Sequence, residues 1–583
     1  MTLQRVFCSI SGLVDNVHFL TALCYTSWYS MLTTRILKTL ILAGTILFLI
    51  AAYFMPRHGG QLKFQHTTTA SLHTLFVDEA SYEALTKSRA QAMLSQPALQ
   101  FNSASLFFDR PAKRFYYPLV AGSPASFTPT VSLGQSAPGY SMAFLNRPIT
   151  AETIRQNTAH PFIIYNDTHY AEFSFVVTTL PVMSLESNHP EYSPDSFITN
   201  KKSAVRMTLF DNAQNAGHLQ RMTVSEADVK TRGRSSLHYP QKSYRLSLSY
   251  LSLGHNKRKS PLSLLGLRFD NNWILYAPFN DPEKIRNIFS HNLWWDWGVD
   301  NNSFAIKNGT QGRFVELFIN GQYQGIYGLL QPVDGQQLDI QRGSSLATSD
   351  YLYRKIHNKP AVEQDLYKNG FRYSSGGFDL LSPKNLKGTP EKWTPLAEFL
   401  RVLGAPDEIF RERYLEMVDL DNSIDVWLFT NTIAALDNAT KNLTYTAKWT
   451  GEKHTMLFSP WDLDISFGMC WSGKLPLLTQ VSARPDQPLD FTLELPASRA
   501  IEINLGNARE KTAQRYQELR KTLLSDEQML HRIARYEADL FDSGAYLRNR
   551  EKWPTAACAD NLDVFRTFVL QRLSFMDTAI KGL

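Results

Sequence analysis

Residues 435–468 read ALDNATKNLTYTAKWTGEKHTMLFSPWDLDISFG, placing Asp437, Asn442, Asp462 and Asp464 at the margins of runs that are otherwise apolar. A carboxylate in such a place must be hydrogen-bonded, paired or bound to a cation, because desolvating it alone costs several kcal/mol. The stretch therefore demands a fold that brings polar partners to the ends of its core elements. Residues 421–435 are apolar on most faces and predict a buried helix, which leaves Asp437 on the loop just past its end. LTYTAKW and TMLFSPW then read as two strands around a turn at Gly451-Glu452, and Asp462 follows the second strand directly. Any one of these polar residues alone is accounted for as a turn cap or an Asx turn.

The rest of the chain supplies a β-rich half followed by an α-rich half. With 583 residues it is too long for one ordinary domain and predicts roughly three or four units. Residues 61–185 are rich in Ser, Thr, Pro and aromatics, with short β-prone runs such as FSFVV, and predict a β-rich accessory module with one helix at 79–96. From Ser203 come SAVRMTLF and KTRGRSSLHYPQKSYRLSLSYL, a Gly and Ser-containing turn before an alternating strand. In that strand Lys242, Tyr244, Leu246 and Leu248 share one face, and Ser243, Arg245 and Ser247 the other. NDPEKIRNIFSHNLWWDWG predicts a helix capped by Asn280 or Asp281, opened by Pro282, suited at its dipole by Glu283 and stopped by Gly298. Its apolar stripe is Ile285, Ile288, Phe289 and Leu293. Two alternating runs around Asn320-Gly321 predict a hairpin, and from about Lys384 onward the patterns are mostly helical.

Composition narrows the class. Hydrophobic residues at 43%, aromatics at 12% and charged residues at 20% exclude a largely disordered or coiled-coil chain. A net charge of +6 is too small at this length to argue for nucleic acid. At the front, residues 36–54 are apolar except for Lys38 and lie between Arg35 and Arg57, which predicts an uncleaved membrane anchor within a segment 1–60. The basic flank places the N-terminus in the cytoplasm and the bulk of the chain outside it, periplasmic or on the cell surface; cleavage of the segment would make the protein secreted. Met31 is an alternative start, because residues 1–30, with Cys8 and Cys24, do not resemble a basic leader. Beyond the anchor only Cys470 and Cys558 remain, and they read equally as one bridge or two thiols.

The spacing of the polar residues points to a chemistry. Asp437 and Asn442 form D-x-x-x-x-N, a hairpin follows, and an acid stands near Phe-Gly, the order of elements that phosphoryl transfer uses in protein kinases. There a loop Asp accepts the hydroxyl proton, the Asn holds Mg²⁺, and a second Asp bridges metal and phosphates. Mg²⁺ is a hard cation that takes carboxylate and amide oxygens and keeps its waters. The phosphates also need a fixed cation, for which Lys242 is the natural candidate and Arg245 the alternative. H-R-D, D-F-G and G-x-G-x-x-G are absent, so the chain is not a conventional kinase.

The blocks RGRSSLHYPQKSYRLSL, NDPEKIRN, FVELFINGQYQGIYGLL, LDNATKN and SPWDLDISFG, in this order, resemble the spore coat protein H (CotH) kinase family. The resemblance covers roughly residues 180–468 and runs on toward the C-terminus. It implies an α+β, divergent bilobal protein-kinase-like fold at 186–583, with a β-rich N-lobe at about 186–340 and an α-rich C-lobe at about 341–583. It further implies Asp437 as catalytic acid, with Asn442 and Asp462 as metal ligands and Asp464 as a second candidate for the latter role. Lys242 would contact phosphate, and Arg245, Arg286 and Ser235 would complete the ATP side. Glu283 is a weaker candidate as ion-pair partner of Lys242. Gln331 and Pro332 stand where family members usually carry an acid. The implied activity is Mg²⁺- or Mn²⁺-dependent transfer of the ATP γ-phosphoryl group to Ser or Thr of exported or surface proteins. The alternatives are a non-catalytic adhesion or coat-assembly protein using the fold as scaffold, and carbohydrate acid-base chemistry by Asp437 with Asp462, which leaves Asn442 and Lys242 unexplained.

Overall fold

The computed structural model describes residues 69–583 except 93–96, 103, 121–128, 134–138, 214–221, 252–256, 357–376, 385–390, 440, 472–478, 482–483 and 493–494. The predicted anchor at 36–54, Met31, Cys8 and Cys24 lie outside the described residues. Among the described residues no helix is long and apolar enough to cross a membrane. Cys470 and Cys558 carry thiols and share no disulfide.

The fold is mixed α+β, and its centre is a closed ring of seven strands. In order around the ring these are Val182–Glu186, Ser203–Phe210, Met222–Arg232, Ser243–Leu251, Asn272–Tyr276, Gln322–Leu330 and Gly312–Ile319. Neighbours pair antiparallel except at the closing seam, where Val182 stands opposite Glu316 in a parallel pairing. Alternation then sorts side chains inward and outward. Tyr244, Leu246, Leu248, Leu275, Val315, Leu317, Tyr327 and Leu329 fill the interior, while Ile274, Phe314, Ile326 and Leu330 face out into a second core. Asn320 at φ 49° and Gly321 at φ 64° make the tight turn that the sequence places between the last two strands.

The second core joins the ring to the helical part. It holds the stripe Ile285, Ile288, Phe289 and Leu293, all essentially without exposure, together with residues of Thr394–Leu403, Leu420–Thr432, Ala508–Lys521, Asp526–Glu537 and Asp563–Lys581. Each such aliphatic or aromatic side chain contributes about 1.5–3 kcal/mol when fully buried. A four-stranded antiparallel sheet lies among these helices, in the order Phe378–Ser382, Tyr351–Lys355, Leu443–Trp449, His454–Pro460.

Two boundaries differ from the sequence reading. The helix expected from Asn280 or Asp281 begins at Arg286, because Lys284 takes φ 67° and breaks the first turn. Asp281 still serves its start from further back, accepting from the Glu283 and Arg286 N–H groups at 3.3 and 2.7 Å. The front helix is Glu79–Lys87 rather than 79–96; past Ser88 the chain pairs Ala90–Gln91 with the strand His169–Thr178, and this pairing overrides the helical composition.

Residues 69–178 form two further sheets over an aromatic core that includes Phe101, Phe115, Phe144, Phe162 and Phe175. Tyr116 and Val176 of this region pack with Val182, Phe318 and Tyr323 of the ring. Beside them the fully buried Arg548 donates to Glu316 at 2.7 and 2.9 Å and to Asn157 Oδ1 at 3.1 Å. The front region, the ring and the C-terminal helices thus share one buried polar cluster.

Candidate active site

A cavity of about 390 Å³ opens where the strand Met222–Arg232 ends, and five segments of the chain line it. From the ring come Arg232 and the loop Gly233, Arg234, Ser235 and Ser236, with Ser243 and Tyr276 beside them. Arg354 and Ile356 enter from the four-stranded sheet. The 3-10 turn Leu436–Ala439 and the residues after it supply Asp437, Lys441 and Asn442, and the segment after His454–Pro460 supplies Trp461, Asp462 and Asp464.

Local backbone chemistry sets these oxygens in place. Asn442 and Asp462 both take left-handed conformations, φ 60° and 58°, which short Asn and Asp side chains tolerate best among residues other than glycine. Asn442 accepts from Trp461 N–H at 2.9 Å, and the buried amide of Asn438 donates to the carbonyls of both Asn442 and Trp461, at 3.0 and 2.9 Å. One side chain therefore ties together the two loops that carry the cavity oxygens. Leu463 N–H donates to Asn287 Oδ1 at 3.1 Å, and Ser466 Oγ lies 3.2 Å from Ser290 Oγ, so the helix Arg286–Trp297 braces the same segment. Opposite, Gly233 turns the chain at φ 120°, and a Cβ there would meet Ser236 Oγ at 2.1 Å.

Charges of both signs line the cavity. Lys441 Nζ lies 2.9 Å from Asp437 Oδ2, and Asn442 Nδ2 reaches the same oxygen at 3.4 Å. Burial, and after it the neighbouring Asp462 and Asp437, holds the Asp464 carboxyl well above the usual carboxylate range. Burial also lowers the Arg232 guanidinium; Asp462 opposes that effect, and Arg354 and Arg245 add to it. Tyr276 is pushed up by burial and then by Asp464 and Asp281. The site crowds acids that repel one another and arginines that do the same, an arrangement that a bound cation and a bound anion would relieve.

The donor set suits a hard cation: carboxylate and amide oxygens, with no thiol or imidazole among the described residues that line the cavity. Among the described residues no group of three or more His, Cys, Asp and Glu side chains is arranged to hold a metal ion unaided. Magnesium asks for less than that, since one or two carboxylates, waters and substrate phosphates commonly complete its octahedron.

Of the residues singled out from the sequence, Asp437, Asn442, Asp462, Asp464 and Ser235 meet in this cavity. Lys242 does not. The strand begins one residue later, at Ser243, and the Lys242 ammonium turns back to donate to the carbonyls of Leu237, at 2.7 Å, and Tyr239. Arg245 is absent from the lining as well and acts on it only through its field at Arg232. Arg286 lies behind the cavity, fully buried, paired with both Asp281 and Glu283 and donating to the Phe467 carbonyl at 3.4 Å. Glu283 is therefore the partner of Arg286, not of Lys242. The cations that line the cavity, Arg232, Arg234, Arg354 and Lys441, were not anticipated. Only Lys441, immediately before Asn442, carried a local signal.

An α+β chain whose acids and cations meet around one cavity is the class of protein these observations define. The family described as CotH kinase protein matches residues 229–576, well over half of the 583, and the chain belongs to that family. No curated protein matches the sequence.

Proposed function

We propose that the chain is an atypical protein kinase that transfers the γ-phosphoryl group of ATP to Ser or Thr hydroxyls of exported or surface proteins. The observation that carries this reading is the meeting of Asp437, Asn442, Asp462 and Asp464 in one cavity with Arg232 and Arg354. In this reading Asp437 accepts the proton of the attacking hydroxyl. Asn442 and Asp462, with Asp464 beside them, hold Mg²⁺ or Mn²⁺, which when bound neutralises charge between the phosphates. Arg232 and Arg354 take the phosphate-binding part that the sequence reading gave to Lys242, and Lys441 steadies the Asp437 carboxylate at 2.9 Å. The ring and the helical part then act as two lobes around the cavity, and the segment 36–54 anchors the protein with its bulk outside the cytoplasm.

Incubating the purified chain with γ-labelled ATP and Mg²⁺ tests the activity. Label should enter the protein or an added Ser/Thr substrate, and Asp437→Ala or Asp462→Ala should lower its rate by roughly 10²–10⁴-fold. Absence of label, or label that survives both substitutions, would sink the enzyme reading and leave a scaffold. Thermal denaturation separates the two, because nucleotide with Mg²⁺ must raise the melting temperature if the folded protein binds it.

A further inference from the structure

A second cavity, of about 200 Å³, lies against the helix Arg286–Trp297 on the side that carries Ile288, Asn292 and Asp296. The candidate catalytic segment touches a different side, through Asn287 and Ser290. Arg313 of the ring and Arg532 and Arg535 of the helix Asp526–Glu537 line this second cavity, against the acids Asp296 and Asp539. Arg532 is paired with Asp296 at 2.5 Å. Among the described residues neither Arg313 nor Arg535 has an ion-pair partner; the hydrogen bond of Arg313 runs to the carbonyl of its neighbour Gly312, at 3.0 Å. The Asp539 carboxyl feels both arginines, which pull it down, while burial pushes it up by more.

The floor is built and rigid. Asn292 accepts from Gly312 N–H at 2.9 Å and donates to the Gly312 carbonyl at 3.1 Å and the Tyr536 hydroxyl at 2.7 Å, so helix, ring and C-terminal helix are bolted together beneath the arginines. Pockets for drug-sized ligands run to about 300–1,000 Å³, and this one is smaller than that range, with room for one compact group. Three guanidinium groups lining one small concave site, two of them without an ion-pair partner among the described residues, supply the donors a tetrahedral oxyanion takes.

We propose that Arg313, Arg535 and Arg532 form a second binding site, specific for a phosphate dianion, either free or as the phosphoryl group of a phosphorylated Ser or Thr side chain. Asp539, in the same lining, is the carboxylate whose charge competes with such a ligand. The site stands whether or not the larger cavity transfers phosphate.

Titration calorimetry on the full chain, with inorganic phosphate, a phosphoserine peptide and the same peptide unphosphorylated, tests this. Arg313 and Arg535 are exposed, so the double variant Arg313→Gln/Arg535→Gln should melt like the parent without ligand and bind phosphate at least about tenfold more weakly. Asp539→Asn, which removes the competing charge, should bind severalfold more tightly. Arg232→Gln, in the other cavity, should leave this binding intact, which separates the two sites. A phosphopeptide that binds more tightly than free phosphate identifies a protein-borne ligand, and equal affinities identify the free ion. Phosphate affinity unchanged in the double variant, or weakened by Asp539→Asn, overturns the assignment. If the double variant melts early, Arg535→Gln alone gives the same reading.

Discussion

Asn438 does not line the cavity, yet two residues that do depend on it. Its amide donates to the carbonyls of Asn442 and Trp461, each next to or at a residue in left-handed backbone. Asn438→Ala should cost about 1–3 kcal/mol in urea denaturation, the range for leaving a buried acceptor unpaired, here the Trp461 carbonyl, since the Asn442 carbonyl keeps the Trp461 N–H. It should also erase the nucleotide-dependent thermal shift, because Asn442 and Asp462 lose their common tie. His291 shows a different dependence. Both its ring nitrogens are buried without a hydrogen-bond partner, its ring packs on Trp461 at 5.3 Å, and burial, aided by Arg232, lowers it to about 3. The unfolded chain binds the proton near pH 6.5 and the folded one only near 3, so stability is complete above about 6.5 and is lost as pH falls toward 3. The full loss is about 5 kcal/mol. His291→Phe should flatten the acid limb of the melting curve, and an unchanged limb would show that other groups govern it. Residue by residue, the acids of the cavity were legible because their signal is local: an Asp past a buried helix, an Asn five residues on, an Asp after a strand. The arginines were not legible, since Arg232 reaches the cavity only through the pairing that sets it opposite Ser243. For Lys242 the alternation of faces was read from the pattern, but its ammonium is consumed by a turn that a strand pattern does not reveal.

At the scale of elements, the helix Arg286–Trp297 is held at its start by charge rather than by a cap of its own. Arg286 is completely buried between Asp281 and Glu283, and its ring contact is Phe565, 5.3 Å from the guanidinium carbon. Removing one partner of a buried ionic group strands the others, at about 3–5 kcal/mol. Arg286→Leu should therefore unfold at markedly lower denaturant, whereas Arg245→Leu, at a half-buried position from which the guanidinium acts through its field at Arg232, should stay within about 1 kcal/mol of the parent. Helices with strong apolar stripes, such as Asp563–Lys581, and the hairpin at Asn320-Gly321 were visible in the sequence, because their periods and turn residues are local properties. Helix starts were less visible: the positive φ of Lys284 moves one by several residues, and no propensity scale assigns that conformation to lysine. Ring closure was invisible, since the parallel seam between Val182–Glu186 and Gly312–Ile319 joins strands far apart in the chain.

On the scale of the whole molecule, the front strands are tied in. Arg114 lies 3.1 Å from Glu551, Asn157 donates to Glu551 at 3.0 Å, and Arg548 joins Asn157 to Glu316. A chain starting at residue 180 would uncover Phe318 and Tyr323 and leave Arg548 without one of its acceptors. Such a truncation should melt lower than the full chain or aggregate, and a truncation that melts at the parental temperature would show that residues 69–178 contribute nothing to the rest. The seam of the ring also bears on biogenesis. If the chain is threaded through a membrane from its N-terminal end, Val182–Glu186 emerges long before the strand that must lie beside it. Its hydrogen-bonding edge stays open throughout translocation, and such long-range pairings form slowly. On that route a half-finished cylinder would need shielding until Gly312–Ile319 arrives to shut it.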